Sequence, residues 1–113
     1  MPDRITPADI SPDREYVIVN NIHPPMWAGC LLFWGSLTED GSERRSFGGY
    51  TTDFSACERY RLDEIRAEPG YRDFPLYDPG TMSLRDFMEC RDIITRVSDI
   101  PSLGVRKIEA WYR

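Results

Sequence analysis

The chain has 113 residues, of which 41% are hydrophobic, a length and composition that suit one domain with its own apolar core. The formal net charge of -5 argues against a broad, nonspecific nucleic-acid or membrane surface. Three widely spaced cysteines (Cys30, Cys57, Cys90) and no apolar run of about 18 residues predict a cytoplasmic protein with reduced thiols and no membrane span.

The N-terminal region combines three prolines with charged residues, so we expect an arm over residues 1–15 and a single α+β domain over residues 16–113. Within the arm, Thr6 and Pro7 suit the cap and first position of one helical turn. Tyr16–Asn20 is the strongest strand signal in the chain. It is apolar on both faces, which predicts a central strand covered on both sides.

The next segment carries Pro24 and Pro25, which exclude a central strand there. Trp27 follows on the same loop, and we expect it either to fold over the edge of the core or to form an exposed contact. A second strand is predicted over Leu31–Leu37. The charged loop after it holds Arg44 and Arg45 close to Phe47.

Basic residues beside an aromatic ring can bind single-stranded nucleic acid. In an acidic protein we prefer to interpret this loop as a solvated hairpin tip. A third short strand is predicted over Gly49–Asp53, with Asp53 as the cap of a helix that extends from near Phe54 to Glu68. Pro69 and Gly70 end that helix.

The stretch from Trp34 to Glu64 resembles a pattern of small, mostly uncharacterised phage and prophage proteins: a Trp-bearing strand, G-Y-T-T-D, an aromatic residue and an acidic helix. Two positions depart from that pattern. Cys57-Glu58 stands where the family has Ala-Gly, and Arg61 stands where it has a Ser or Thr cap. The resemblance brings no known catalytic residue, so it implies an origin and not an activity. The matching positions are Trp34, Gly49–Asp53, Cys57, Tyr60, Asp63 and Glu64.

The second half of the chain begins with a loop that holds Tyr71, and Phe74–Tyr77 is predicted as an edge strand. The clearest helix signal covers Ser83–Val97, with Ser83 as the cap and apolar residues at helical spacing. Pro101 and Gly104 are expected to end it. Val105–Tyr112 alternates in polarity and is predicted as a final strand.

These elements predict an α+β fold: an antiparallel sheet of three to five strands, with the long helix Ser83–Val97 and the shorter helix near Phe54–Glu68 packed on it. The inward face of the strand around Trp34 should then contact the apolar stripe of the long helix. We expect that stripe to consist of Phe87, Met88 and Ile94.

Motifs for chemistry are weak in this sequence. His23 and the cysteines lack metal-ligand spacing, and Gly48-Gly49 lacks the lysine of a phosphate-binding loop. His23 with Cys30 is formally a nucleophile pair, but no oxyanion-hole motif accompanies it. We therefore assign no catalytic, cofactor-binding or metal-binding residue.

The function that this sequence favours is that of a noncatalytic accessory protein of phage or prophage type, which binds an unknown protein partner or a second copy of itself. The many aromatic residues in the predicted loops support this function, because aromatic residues are enriched at contact surfaces. Single-stranded nucleic-acid binding through Arg44, Arg45 and Phe47 is the alternative, followed by a small enzyme that uses His23 or Cys30. The acidic charge also allows a nucleic-acid mimic. The predicted contact residues are Trp27, Arg44, Arg45, Phe47, Tyr71, Phe74 and Tyr77.

Overall fold

The computed structural model of the protein describes residues 5–21 and 30–111. It is an α+β fold, as predicted, built on a four-stranded antiparallel sheet. In chain order the elements are a 3-10 turn (Pro7–Asp9), β1 (Tyr16–Asn20), β2 (Leu32–Trp34), β3 (Tyr50–Thr51), α1 (Leu62–Arg66), α2 (Leu84–Glu89), β4 (Asp92–Arg96), a second 3-10 turn (Val97–Asp99) and α3 (Ile100–Trp111). The strand order across the sheet is β3-β2-β1-β4.

Strand β1 lies at the centre of the sheet. It pairs with β4 along its whole length, from Tyr16 opposite Arg96 to Asn20 opposite Asp92. On its other side it pairs with β2, where Val19 lies opposite Phe33. All five residues of β1 are buried, and the predicted central, doubly covered strand is thus confirmed.

Each face of the sheet carries its own apolar core, because successive side chains of a strand point to opposite faces. Helices α2 and α3 cover one face, and α1 with the loop aromatics covers the other. The α2/α3 face buries Val17, Val19, Phe33, Tyr77, Phe87, Ile93, Ile100 and Leu103. The α1 face buries Tyr16, Ile18, Tyr60, Ile65 and Ile94.

The predicted helix Ser83–Val97 is wrong in its second half. It starts as expected, since the Ser83 hydroxyl accepts a 3.1 Å hydrogen bond from the Asp86 amide. It ends at Glu89, however, and Asp92–Arg96 form β4. The β-branched run at residues 93–95 suits a strand, and full-length pairing with β1 overrides the helical periodicity of the sequence. Ile94 consequently faces α1 and does not join Phe87.

The predicted strand Val105–Tyr112 is also wrong, because residues 105–111 belong to α3. Pro101 was expected to end a helix, but it lies in the first turn of α3, where a missing N–H breaks no helical hydrogen bond. Ile100, Leu103 and Lys107 are buried. Their spacing of three and four residues identifies the face that α3 turns toward the sheet.

The predicted helix near Phe54–Glu68 is reduced to α1. Tyr60 pairs with Tyr16 through two backbone hydrogen bonds of 2.9 and 3.0 Å, which prevents it from being helical. Asp53 caps a turn and not a helix, since its Oδ1 accepts from the Ser55 amide at 2.9 Å. The predicted strand Leu31–Leu37 is shortened as well, because Gly35 follows β2 with a φ of +80°.

Two segments outside the main elements complete the packing. Leu76 forms a parallel bridge with Ile94, so the segment predicted as an edge strand covers the outer side of β4. Near the N-terminus, Ile10 is buried. The Arg14 guanidinium pairs with Glu64 at 3.0 Å and with Asp40, which attaches the residues before β1 to α1 and to the loop after β2.

Candidate contact surface

Six aromatic side chains from four separate segments form a continuous row on the α1 face of the sheet. The ring centroids are 4.2 Å apart for Tyr50 and Trp34, and 6.0 Å apart for Trp34 and Tyr71. From Tyr71 the row continues to Phe47 at 4.7 Å and to Phe74 at 5.2 Å. Tyr60 ends it, 4.9 Å from Phe47. We call these residues the aromatic row.

The row runs from the core to the surface. Tyr60 is fully buried, and Phe47, Tyr71, Phe74 and Trp34 are half-buried. Tyr50, at the edge of the sheet on β3, is 42% exposed. Among the residues described, the other large hydrophobic side chain with such exposure is Val105, on the outer side of α3. Of the side chains whose burial the structure describes, Tyr50 is thus the one large aromatic that is exposed.

Hydrogen bonds hold two of the half-buried rings in place. The indole Nε1 of Trp34 donates to Oδ1 of the buried Asp92 at 2.7 Å. The Tyr71 hydroxyl donates to the carbonyl oxygen of Phe47 at 2.6 Å. Burial raises the pKa of the Tyr71 hydroxyl, and nearby Asp92 and Glu68 raise it further, so this group stays protonated and keeps its role as donor. Each of these two rings is therefore anchored to the fold by a hydrogen bond.

Three of the predicted contact residues, Phe47, Tyr71 and Phe74, are brought together in the row. Tyr77 lies elsewhere: it is buried on the α2/α3 face, with its ring edge-on to Phe87 at 5.2 Å. Trp27 lies outside the described residues.

The two predicted contact arginines diverge. The Arg44 side chain is 82% exposed and lies 3.7 Å from Glu68. The Arg45 side chain is only 3% exposed, and its Nη2 donates to the carbonyl oxygens of Glu39 at 2.8 Å and Ser42 at 3.1 Å. Arg45 therefore closes its own loop from the inside, and only Arg44 of this pair reaches the surface beside the row.

A buried carboxylate explains the inward position of Arg45. Glu58 is fully buried, and its oxygens accept from the backbone amides of Thr38 at 3.1 Å, Ser46 at 2.9 Å and Arg59 at 3.0 Å. The Arg45 guanidinium lies 3.8 Å from it. Charge and hydrogen bonds are thus satisfied within the fold, as a buried ion pair requires, so Glu58 and Arg45 stabilise the loop 38–46.

Sequence reasoning missed Trp34, Tyr50 and Asp92 as parts of this surface. Trp34 and Tyr50 lie opposite each other on β2 and β3. Both strands were predicted, so testing the pairing register for aromatic cross-strand pairs could have found them. Asp92 carried no such signal, because the helical periodicity placed it on the outer side of a helix.

The candidate chemical groups are dispersed. Cys30 is exposed, and Cys57 is buried, with its pKa raised to about 11 by burial. Cys90 is half-buried and packs against the core of the α2/α3 face. His23 lies outside the described residues. Across residues 5–21 and 30–111, no three His, Cys, Asp or Glu side chains are grouped so as to hold a metal ion.

Comparison with known proteins adds no family or fold relative: no family model, curated protein or solved structure matches the chain. The resemblance of residues 34–64 to phage proteins therefore stays a prediction. In the part of the chain that the structure describes, no helix is both long and apolar enough to cross a membrane.

Proposed function

We propose that this chain is a noncatalytic accessory protein of the cytoplasm, of phage or prophage type, and that it acts by protein–protein contact through the surface end of the aromatic row. The observation that carries the proposal is the exposed Tyr50 ring, whose centroid lies 4.2 Å from that of Trp34. Aromatic side chains are enriched at contact surfaces, where they contribute a large share of the binding energy. Because Trp34 and Tyr71 are already held by hydrogen bonds, binding orders few side chains and loses little entropy.

The partner we propose is a second copy of the chain. Charges of both signs border the surface, since the exposed Arg44 lies 3.7 Å from Glu68, a carboxylate near Tyr71. A two-fold interface places the same patch on both subunits, so a patch with both signs can complement itself. A nucleic acid would instead favour an excess of cations, and the inward position of Arg45 removes one of them. The exposed aromatic area is small, which favours a weak and reversible dimer.

Sedimentation equilibrium over a range of protein concentrations tests this proposal. We expect the native protein to show a concentration-dependent dimer, and Tyr50→Asp to remain a monomer because the substitution places a charge in the interface. Val105→Asp is the matched control, since it adds the same charge at the other exposed apolar side chain. Thermal melts of both variants check that the fold is kept. A native protein that stays monomeric throughout, or a dimer that Val105→Asp weakens equally, would contradict the proposal.

A further inference from the structure

A concave surface lies where the N-terminal residues cross the end of the sheet, next to the start of β1 and the end of β4. It is an open cleft of about 320 Å³, close to the lower end of the range of small-ligand sites. Its lining combines the apolar side chains of Ile10, Pro12 and Val97, the hydroxyls of Ser11 and Ser98, and two largely buried cations, Arg14 and Arg59.

Arg59 is held rigidly in the wall of this cleft. The residue is 4% exposed, and its guanidinium lies 4.4 Å from the centre of the Phe54 ring. Its Nη1 donates to the carbonyl oxygens of Phe54 at 2.9 Å and Cys57 at 3.2 Å, and lies 3.0 Å from the Cys57 sulfur. These contacts involve the face of the guanidinium, which lies over the Phe54 ring, and one of its nitrogens, Nη1. The orientation of the group is therefore fixed while Nε and Nη2 keep their donor capacity.

Arg59 differs from the other two largely buried arginines in its charge balance. Arg14 pairs with Glu64 and Asp40, and Arg45 lies near Glu58 and Glu64. Within the described ranges, by contrast, no carboxylate oxygen lies within 4.0 Å of the Arg59 guanidinium. A buried cation without an anion is costly, so proteins normally pair it. Arg59 is also one of the residues that line the cleft.

We propose that this cleft binds a carboxylate carried on a small aliphatic body. The planar fork of an arginine matches the two oxygens of a carboxylate, the hydroxyls of Ser11 and Ser98 supply further polar contacts, and Ile10 and Val97 suit an aliphatic group. Glu15 also lines the cleft, but it is exposed to water, so its charge is screened. The assignment is independent of the proposed dimer, because no residue of the aromatic row lines the cleft.

Amide chemical shifts of the full-length protein, followed by NMR during titration, test the assignment. One ligand is 4-methylpentanoate, and the other is acetyl-Ala-Leu with a free carboxylate. The corresponding carboxamides are controls. We expect both carboxylates to shift amides near Arg59 and Ser98, and the carboxamides to shift none. Tighter binding of the peptide would identify a protein C-terminus as the source of the carboxylate, whereas equal binding would identify a free aliphatic acid. Absence of localised shifts with both carboxylates would overturn the proposal.

Two variants separate binding from folding. Arg59→Gln removes the charge-assisted hydrogen bonds, and we expect affinity to fall roughly ten- to hundredfold. Because Arg59 also holds two carbonyl groups, its replacement can disturb the fold. Ser98→Phe fills the cleft and replaces none of the residues that hold Arg59, and we expect it to abolish binding with the melting temperature retained. Arg85→Gln, at an arginine whose side chain is 87% exposed on α2, should bind like the native protein. Unchanged affinity in Ser98→Phe, or an equal loss in Arg85→Gln, would refute the site.

Discussion

The indole Nε1 of Trp34 on β2 donates a 2.7 Å hydrogen bond to Oδ1 of Asp92 on β4, across the intervening strand β1. The same oxygen accepts a 2.7 Å hydrogen bond from Nδ2 of Asn20, the last residue of β1. One buried carboxylate therefore ties together three neighbouring strands on the α1 face. It also fixes the ring that supports Tyr50.

Replacing Asp92 should destabilise the fold. In Asp92→Ala the half-buried indole N–H of Trp34 loses its acceptor, which typically costs about 1–3 kcal/mol of unfolding free energy. Urea denaturation measures the loss. Asp73→Ala is the control, because Asp73 is exposed and surface substitutions usually change stability by less than about 0.5 kcal/mol. Similar losses in the two variants would show that the Asp92 hydrogen bonds contribute nothing to stability.

Gly35 and Gly49 offer a matched test of close packing behind β2. Both have a φ of +80°, but a Cβ on Gly35 would lie 2.5 Å from the Ser46 carbonyl oxygen, whereas a Cβ on Gly49 would meet nothing within 4 Å. We expect Gly49→Ala to cost about 1–2 kcal/mol from backbone strain alone. Gly35→Ala should cost about 1–3 kcal/mol more, because overpacking is added to the strain.

Chemical denaturation of both glycine variants gives this difference directly. Equal losses would mean that the loop carrying Ser46 moves aside without cost. The loop would then be easily displaced, even though Phe47, which follows Ser46, packs against Tyr60 in the row.

The buried thiol of Cys57 should make stability fall at alkaline pH. Burial raises its pKa from 9.0 to about 11 in the folded protein. Between these two values the folded state binds more protons than the unfolded state, so stability decreases as pH rises through that window. Cys57→Ala lacks this contribution. The difference in unfolding free energy between native protein and variant should therefore decrease from pH 9 to pH 11, and a constant difference would contradict the buried assignment.

Local signals explain which elements could be predicted. The β-branched run of β1 and the Ser83 cap act within a few residues, and both formed as expected. The sequence was misleading for β4, because the helical spacing of Leu84, Phe87 and Met88 continues into residues 93–97 and predicted a helix there. Only pairing with β1, more than 70 residues earlier in the chain, decides that these residues form a strand.

The candidate surface shows the same division between local and distant information. Phe47, Tyr71 and Phe74 could be selected from the sequence because they are aromatic residues in or beside predicted loops. Their role in contact stays a prediction. Arg45 could not be distinguished from Arg44 by sequence, because its inward position depends on the distant carboxylates of Glu58 and Glu64. The alternating polarity after Val105 is typical of a strand and was interpreted as one. The helical spacing that starts at Ile100 was not used, because Pro101 was expected to end a helix and in fact lies in the first turn of α3.

The single lysine of the chain should give a pH dependence of opposite sign to that of Cys57. Lys107 is buried on the inner side of α3, and its Nζ donates to Asn21 Oδ1 at 3.2 Å. Asn21 is itself held by donating to the carbonyl oxygens of Phe87 at 2.9 Å and Cys90 at 3.0 Å. This chain of hydrogen bonds joins α3 to the end of β1 and to α2. Burial lowers the pKa of Lys107 from 10.5.

Between that lowered value and 10.5, the unfolded state binds more protons than the folded state, so stability should rise with pH across this window. Lys107→Met removes the titrating group and keeps a long apolar side chain. The unfolding free energy of the native protein minus that of Lys107→Met should therefore increase as the pH approaches 10.5. The contribution of Cys57 cancels in this difference, because both proteins contain it. Arg106→Met, at the exposed neighbouring position, should show no such slope. A difference for Lys107→Met that is flat or falls with pH would mean that this lysine is hydrated in the folded protein and that α3 does not bury it.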